Sequence, residues 1–193
     1  MGLLKRKAIF LDRDGTINKE VDYLFRIEDF QFVAGSEEAI KIFNQLDFLT
    51  IVISNQSGIA RGYYQENDVI KLHKFINMQL DSINGSHIDS FYFCPHHEKG
   101  IVEDYNILCN CRKPKIGMIE KAIYDYEKTG VEIDLSESYM VGDKEIDIQF
   151  GKNAKLFKSV LVRSGYQVNE LETSADIICD DLLQFANLLL EIN

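Results

Sequence analysis

In the segment Ile9-Phe10-Leu11-Asp12-Arg13-Asp14-Gly15-Thr16-Ile17-Asn18, a short apolar run stops at two carboxylates and a glycine. Residues 8–11 are long enough for one buried strand, and Gly15 lets the chain turn away after it. Asp12 and Asp14 stand two positions apart, so both leave the strand end on the same side and can converge on one ligand. Crowded acids repel each other unless a cation lies between them, and Mg²⁺ prefers oxygen ligands of this kind. The plain alternative is an acidic turn after a strand, because Asp and Gly are common turn formers.

Working outward, residues 19–32 read as a polar and aromatic loop, and Ser36-Glu37-Glu38 as a helix start with acids where the dipole favours them. Ala39, Ile40, Phe43 and Leu46 give that helix one apolar face. Residues 48–53 form a continuous, β-branched run, as expected of a strand covered on both faces. It ends in Ser54-Asn55-Gln56-Ser57-Gly58, which offers a hydroxyl and backbone N–H groups to a phosphoryl oxygen, or simply a loop and helix cap. Val69, Leu72, Ile76, Leu80 and Ile83 mark the stripe of a longer helix.

A strand over residues 88–93 leads to Cys94-Pro95-His96 and, after a polar loop, Cys109-Asn110-Cys111. Three thiolates and one imidazole complete a closed tetrahedral Zn²⁺ shell, the pattern of structural sites. His97 is the alternative to His96. The intervening loop has few apolar anchors, so a metal clip would supply its order. Cys179 sits in an apolar run and reads as a core thiol. Arg112-Lys113-Pro114-Lys115 follows the clip directly. Lys113 offers a compact charge and Arg112 a planar fork for a carboxylate or phosphate, while Lys115 reads as solvent-facing.

Residues 138–142 form the next strand, followed by Asp143 and, one helical turn later, Asp147. Asp143 is either a helix cap or a third acidic ligand opposite Asp12 and Asp14. Lys144 would pair with these acids or reach a substrate. Strands at 160–162 and 177–179 and a helix bearing Leu182, Phe185, Ala186 and Leu189 complete the chain. Strands alternating with amphipathic helices predict an α/β fold with an open parallel sheet. The motifs all follow strands, at the carboxyl edge where such sheets bind ligands. No segment is long enough for a separate cap domain, so residues 19–32 and 94–111 must cover the site within a single domain.

The 193 residues carry 21 basic and 31 acidic side chains, a net charge of −10, and 46% are hydrophobic. That content suits a folded globule. The acidic balance speaks against a nucleic-acid partner, whose binding is driven by basic surface. Four cysteines suggest metal binding before disulfides. The apolar run after Lys5-Arg6-Lys7 stops too soon for a signal peptide, and no run is long enough for a membrane span. A cytoplasmic monomer is expected.

Asp-x-Asp-x-Thr after a strand resembles the opening signature of the haloacid dehalogenase (HAD) phosphatase superfamily. That signature demands a later Ser or Thr, a Lys and a further acid, met here by Ser54, Lys113 and Asp143. The strings at 10–18, 54–62, 94–97, 111–114 and 140–144 narrow the resemblance to the D-glycero-D-manno-heptose 1,7-bisphosphate 7-phosphatase family, nearly end to end. Ser54 departs from it slightly, since many relatives have Thr there. The resemblance implies a HAD-like Rossmannoid sheet with helices on both faces and a zinc-stabilised loop. It also implies removal of a sugar phosphate in ADP-heptose and lipopolysaccharide-core, or S-layer, synthesis. Asp12 would be the nucleophile, Asp14 the general acid and base, and Ser54 and Lys113 the holders of the phosphoryl oxygens. Mg²⁺ would rest on Asp12, the Asp14 carbonyl and Asp143. Zn²⁺ would rest on Cys94, His96, Cys109 and Cys111. Arg13, Glu20, Val21, Asp22, Tyr23, Asn55, Gln56, Ser57, Arg112 and Lys144 would contact substrate, Arg112 at the distal C1 phosphate. Histidinol-phosphate phosphatase, a related zinc-loop family, is the rival enzyme. A catalytically silent, zinc-stabilised binding module is the rival of another class.

Overall fold

The apolar run at residues 8–11 does form a strand, and it lies in the middle of the main sheet. The computed structural model describes residues 2–167 and 169–192. In chain order the elements are β1 (Leu4–Arg6), β2 (Ala8–Leu11), α1 (Ser36–Gln45), β3 (Leu49–Asn55), α2 (Glu66–Asn84) and β4 (Ser90–Cys94). There follow α3 (Gly117–Glu127), β5 (Val131–Ile133), β6 (Tyr139–Gly142), α4 (Glu145–Asn153), β7 (Lys158–Val162), β8 (Ile177–Cys179) and α5 (Leu182–Ile192). Six strands make one parallel sheet in the order β4-β3-β2-β6-β7-β8. β1 and β5 pair separately.

Period-two alternation in the strands sorts the core into two layers. Ile9, Leu11, Val52 and Val141 face α1, α2 and α5, where Phe43, Leu72 and Phe185 pack against them. Ala8, Phe10, Ile51, Ile53 and Met140 face α3 and α4, against Ile119, Ala122 and Phe150. Both faces of β2 are therefore closed, which is why its sequence is apolar at every position.

The sheet grows outward from β2 in two directions, through β3 and β4 on one side and β6, β7 and β8 on the other. The order thus reverses between β2 and β6, and a crevice opens beyond their carboxyl ends. Asp12 follows β2 and Asp143 follows β6, so the reversal sets these two acids side by side. The first loop is pinned near this point, because Ser36 Oγ at the start of α1 donates to the Ile17 carbonyl at 2.8 Å.

One sequence-based expectation needs correction, and one pair of strands was not foreseen. Ile83 lies in the last turn of α2 before the Gly85 cap and is 53% exposed, so that helix's buried stripe stops at Leu80. β1 and β5, whose central residues Lys5 and Glu132 are charged, have no counterpart in the sequence reading. Among the described residues, no helix is long and apolar enough to cross a membrane.

Phe43 is fully buried against Phe185, their ring centroids 6.0 Å apart. Phe43→Ala should cost about 3–5 kcal/mol, read from the urea midpoint at unchanged slope.

Candidate active site

A cavity of about 340 Å³ opens at the crevice. Asp12 enters it from the end of β2, with its N–H donating to the Val141 carbonyl at 2.9 Å, which carries β2 pairing one residue beyond the strand. Asp12, Asp143 and Asp147 bring one carboxylate oxygen each within 4.8 Å of one another, all three side chains being buried. Lys113 reaches into the same group from 101 residues away. Its Nζ donates to Asp12 Oδ1 at 2.6 Å and to the Ile53 carbonyl at 2.9 Å, and lies 2.6 Å from Asp147 Oδ1.

The electrostatics of this cluster follow from its burial. Burial alone would lower Lys113, but Asp12 and Asp147 outweigh it and leave the ammonium above its ordinary value. Burial, and then the Asp12 charge, push Asp143 up to about 7. Asp147 rises to about 6, with burial as the largest cause and Lys113 opposing it. Asp143 Oδ1 is buried without a hydrogen-bond partner, while Oδ2 accepts from the Tyr166 N–H at 2.9 Å. An orphaned carboxylate oxygen among crowded acids fits a hard divalent cation such as Mg²⁺. Asp147 is the member of this group that the sequence reading did not assign, although its spacing one helical turn after Asp143 was the available signal. Gly15, at φ 86°, and Gly165 press against the Asp143 carboxylate so closely that a methyl group at either would overlap it.

Asp14 also lines the cavity, but its carboxylate belongs to a different network. It accepts from Arg13, from Asn18 Nδ2 at 3.0 Å and from Gln56 Nε2 at 3.1 Å. Only the backbone carbonyl of Asp14 remains as its contribution to the expected Mg²⁺ set. The Gln56 amide is oriented by Tyr64, whose hydroxyl donates to Oε1 at 2.7 Å. Nε2 then also donates to Ser54 Oγ at 2.7 Å, which leaves the serine's own hydrogen free to point elsewhere. Asn55 holds the Lys113 backbone from both sides, accepting from its N–H at 3.0 Å and donating to its carbonyl at 3.3 Å.

Glu20, Val21, Asp22, Tyr23, Ser57, Arg112 and Lys144 line the cavity as well. Glu20 and Lys144 form an ion pair at 2.8 Å, and the ammonium lies 4.3 Å from the Tyr166 ring centroid. Burial raises Glu20 despite that partner. Arg13 is the exception among the residues expected to touch substrate. It is 0% exposed and does not line the cavity, because its guanidinium is engaged by the Asp14 carboxylate and the Leu24 carbonyl. Tyr64, Ile146 and Tyr166 line the site without having been assigned from sequence.

Beside the cavity, Cys94, His96, Cys109 and Cys111 gather their ligand atoms within 4.8 Å of one another. The sulfurs of Cys94 and Cys111 are 3.0 Å apart, those of Cys94 and Cys109 3.5 Å, and His96 Nδ1 lies 3.3 Å from Cys111 Sγ. A tetrahedron with metal–sulfur arms of about 2.3 Å has edges of about 3.8 Å, so a small outward shift of the ligand atoms would admit zinc. His97 turns away, its Nδ1 accepting from the Lys99 N–H at 3.0 Å. Arg112 Nη1 donates to the His96 carbonyl at 3.4 Å, and Lys115 Nζ to the Cys109 carbonyl at 2.7 Å. Cys179 is buried and free.

The raised acids yield a pH prediction. Asp143 lies above its ordinary value of 3.8 in the folded chain, so the folded state binds the extra proton. Its stabilising contribution is complete below that value and is lost as pH rises toward about 7. In Mg²⁺-free buffer, the urea midpoint of Asp143→Asn should therefore fall less steeply than that of the parent protein over this window. Saturating Mg²⁺ should flatten the parent protein's slope.

Residues 110–185 match the HAD-hydrolase-like family. The chain is 41% identical over 179 residues to the D-glycero-β-D-manno-heptose-1,7-bisphosphate 7-phosphatase of Haemophilus ducreyi, covering 92% of this chain and 95% of that protein. It is 40% identical over 176 residues to the enzyme of the same name from Escherichia coli K12, covering 91% and 89%. The crystal structure of D,D-heptose 1,7-bisphosphate phosphatase from B. bronchiseptica, complexed with magnesium and phosphate, superposes with a TM-score of 0.80 at 29% identity, covering 97% of this chain and 99% of that one. With the carboxylate cluster, the cysteine–histidine group and these relatives together, the chain belongs to the D-glycero-β-D-manno-heptose-1,7-bisphosphate 7-phosphatase family of HAD-like hydrolases.

Proposed function

We propose that this protein is a Mg²⁺-dependent phosphoric monoester hydrolase that removes the C7 phosphate of D-glycero-β-D-manno-heptose 1,7-bisphosphate. The observation that carries the reading is the meeting of Asp12, Asp143, Asp147 and Lys113 in one cavity. The names of relatives that match more than nine-tenths of the chain support the substrate. On this reading the protein works in the cytoplasm as a single-domain monomer.

Asp12, Asp143 and the Asp14 carbonyl would hold Mg²⁺, with Asp147 beside them. When bound, the ion offsets the charge that otherwise keeps an anionic nucleophile from a phosphate. Asp12 forms a bond from its carboxylate oxygen to phosphorus as the bond to the sugar oxygen breaks. Asp14 gives that leaving oxygen a proton, then takes one from the water that attacks phosphorus and releases the Asp12 oxygen. Lys113 and the free hydrogen of Ser54 meet the equatorial oxygens as charge develops there. Arg112 and Lys144, cations on the cavity wall, suit the distal phosphate. Cys94, His96, Cys109 and Cys111 would hold Zn²⁺ with no open position, so its task is to order the loop that delivers Arg112 and Lys113.

Phosphate release should be measured with both anomers of the heptose bisphosphate and with histidinol phosphate. The β-anomer should give the highest kcat/KM, and Asp12→Asn should lower it by at least about 10⁴-fold. A preference for histidinol phosphate would overturn the substrate assignment and leave the chemistry. Turnover that survives in Asp12→Asn would overturn the chemistry.

Metal removal separates the two sites. Withdrawing Mg²⁺ should stop turnover reversibly without changing amide exchange in residues 94–111. Withdrawing zinc should speed exchange in that loop and lower Tm.

A further inference from the structure

Among the described residues Arg13 is the largest fully buried side chain. Its Nε donates to Asp14 Oδ1 at 3.1 Å, and its Nη2 donates to both Asp14 oxygens at 2.9 Å. The same Nη2 donates to the Leu24 carbonyl at 3.0 Å, and Nη1 is buried without a partner. Leu24 is buried and follows directly on Glu20, Val21, Asp22 and Tyr23, which line the cavity. A turn from the Val21 carbonyl to the Leu24 N–H, at 3.2 Å, closes that lining stretch. One guanidinium therefore grips the Asp14 carboxylate on one side and the end of the covering segment on the other.

The energetics make this grip a constraint. A guanidinium sealed from water is strongly destabilising once its carboxylate partner leaves, because no solvent replaces the lost contact. Asp14 is thus held to Arg13, and Arg13 to the seat of residues 20–24. The bidentate fork also fixes the plane of the carboxylate, which a single point charge would not do. Asn18 and Gln56 add one donor each and complete the frame.

We propose that Arg13 is a positioning residue for the reaction: it aims Asp14 at the leaving oxygen and ties that aim to the seating of residues 20–24 over the cavity. The proposal rests on Asp14 as the acid and base of the reading above. The step it serves is the transfer of a proton from Asp14 to the sugar oxygen as the phosphorus–oxygen bond breaks. A sugar alkoxide needs that proton to leave. A nitrophenolate does not, so it reports the same bond-breaking step without the acid.

The test compares kcat/KM for the heptose bisphosphate and for p-nitrophenyl phosphate in Arg13→Gln, Arg13→Lys, Asp14→Asn and the Arg13→Gln/Asp14→Asn double variant. For the sugar substrate, Arg13→Gln should lose about 10- to 100-fold, a part of what a well-placed general acid supplies. For the nitrophenyl ester, the loss in kcat/KM should be at least about tenfold smaller, while kcat falls because Asp14 still serves the second step. In the Asp14→Asn background, adding Arg13→Gln should cost no further sugar turnover, since a residue that acts through another shows nothing once that partner is gone.

Equal losses on both substrates, or losses that multiply in the double variant, would overturn the proposal in favour of a merely structural arginine. If Arg13→Gln fails to fold, Arg13→Lys carries the test, because it keeps the charge and loses the fork. A folded Arg13→Lys with parent kinetics on both substrates would equally overturn it. Asp14→Asn with undiminished sugar turnover would instead remove the acid–base reading of Asp14, a separate failure that the single variant reveals.

Discussion

Three buried carboxylates share a space less than 5 Å across, and the Lys113 ammonium makes that arrangement tolerable. Acids removed from water this close together repel one another and rise toward neutrality, as Asp143 and Asp147 do. A positive charge placed between Asp12 and Asp147 offsets part of that cost. The requirement then passes to the scaffold, which must bring a lysine from far along the chain to a fixed point. Asn55 at the end of β3 grips the Lys113 backbone on both its polar groups. The cysteine and histidine group anchors the loop two residues before it. The sheet, the thiol cluster and the acids are thus one construction, with Lys113 as its joint.

The cavity is covered by loops alone. Glu20 crosses it to pair with Lys144, whose ammonium also lies over Tyr166. Tyr23, at a positive φ of 58°, packs its ring edge against Tyr63 with centroids 4.7 Å apart. These contacts sit on segments whose ends are fixed in the core, at Ser36 on one side and Asp143 on the other. A short cover held at both ends leaves a mouth wide enough for a small polar ligand, in keeping with a cavity of about 340 Å³.

Much of this was legible in the residues themselves, for local reasons. Residues 8–11 and 160–162 show their strands because burial on both faces demands unbroken apolar character. Asp12, Ser54, Lys113 and Asp143 could be picked out because each follows a strand or the cysteine–histidine loop, and ligands collect beyond strand ends. What escaped depends on meetings that no spacing encodes. β1 and β5 exist through pairing with each other, each only three residues long. Tyr166 arrives from the loop after β7 to give its N–H to Asp143. Tyr64 matters because it turns the Gln56 amide, a contact eight residues apart through a loop of no regular period. Arg13 escaped for the same reason, since its burial depends on the Leu24 carbonyl meeting its guanidinium from eleven residues on.

Asp12 and Asp14 show how two identical side chains, two residues apart, come to differ. Asp12 faces a lysine and two further acids, in a group whose unmet oxygen suits a cation. Asp14 faces an arginine fork and two amides, and keeps its carboxylate out of that group. A nucleophile needs its negative charge kept and directed at phosphorus. A proton carrier needs to hold a fixed direction toward an oxygen that is first leaving and then arriving. The strand end supplies both surroundings at once, because it lies where β3 and β6 flank β2 while the first loop folds back over it. On the proposed reading, environment rather than residue type divides the labour between these two carboxylates.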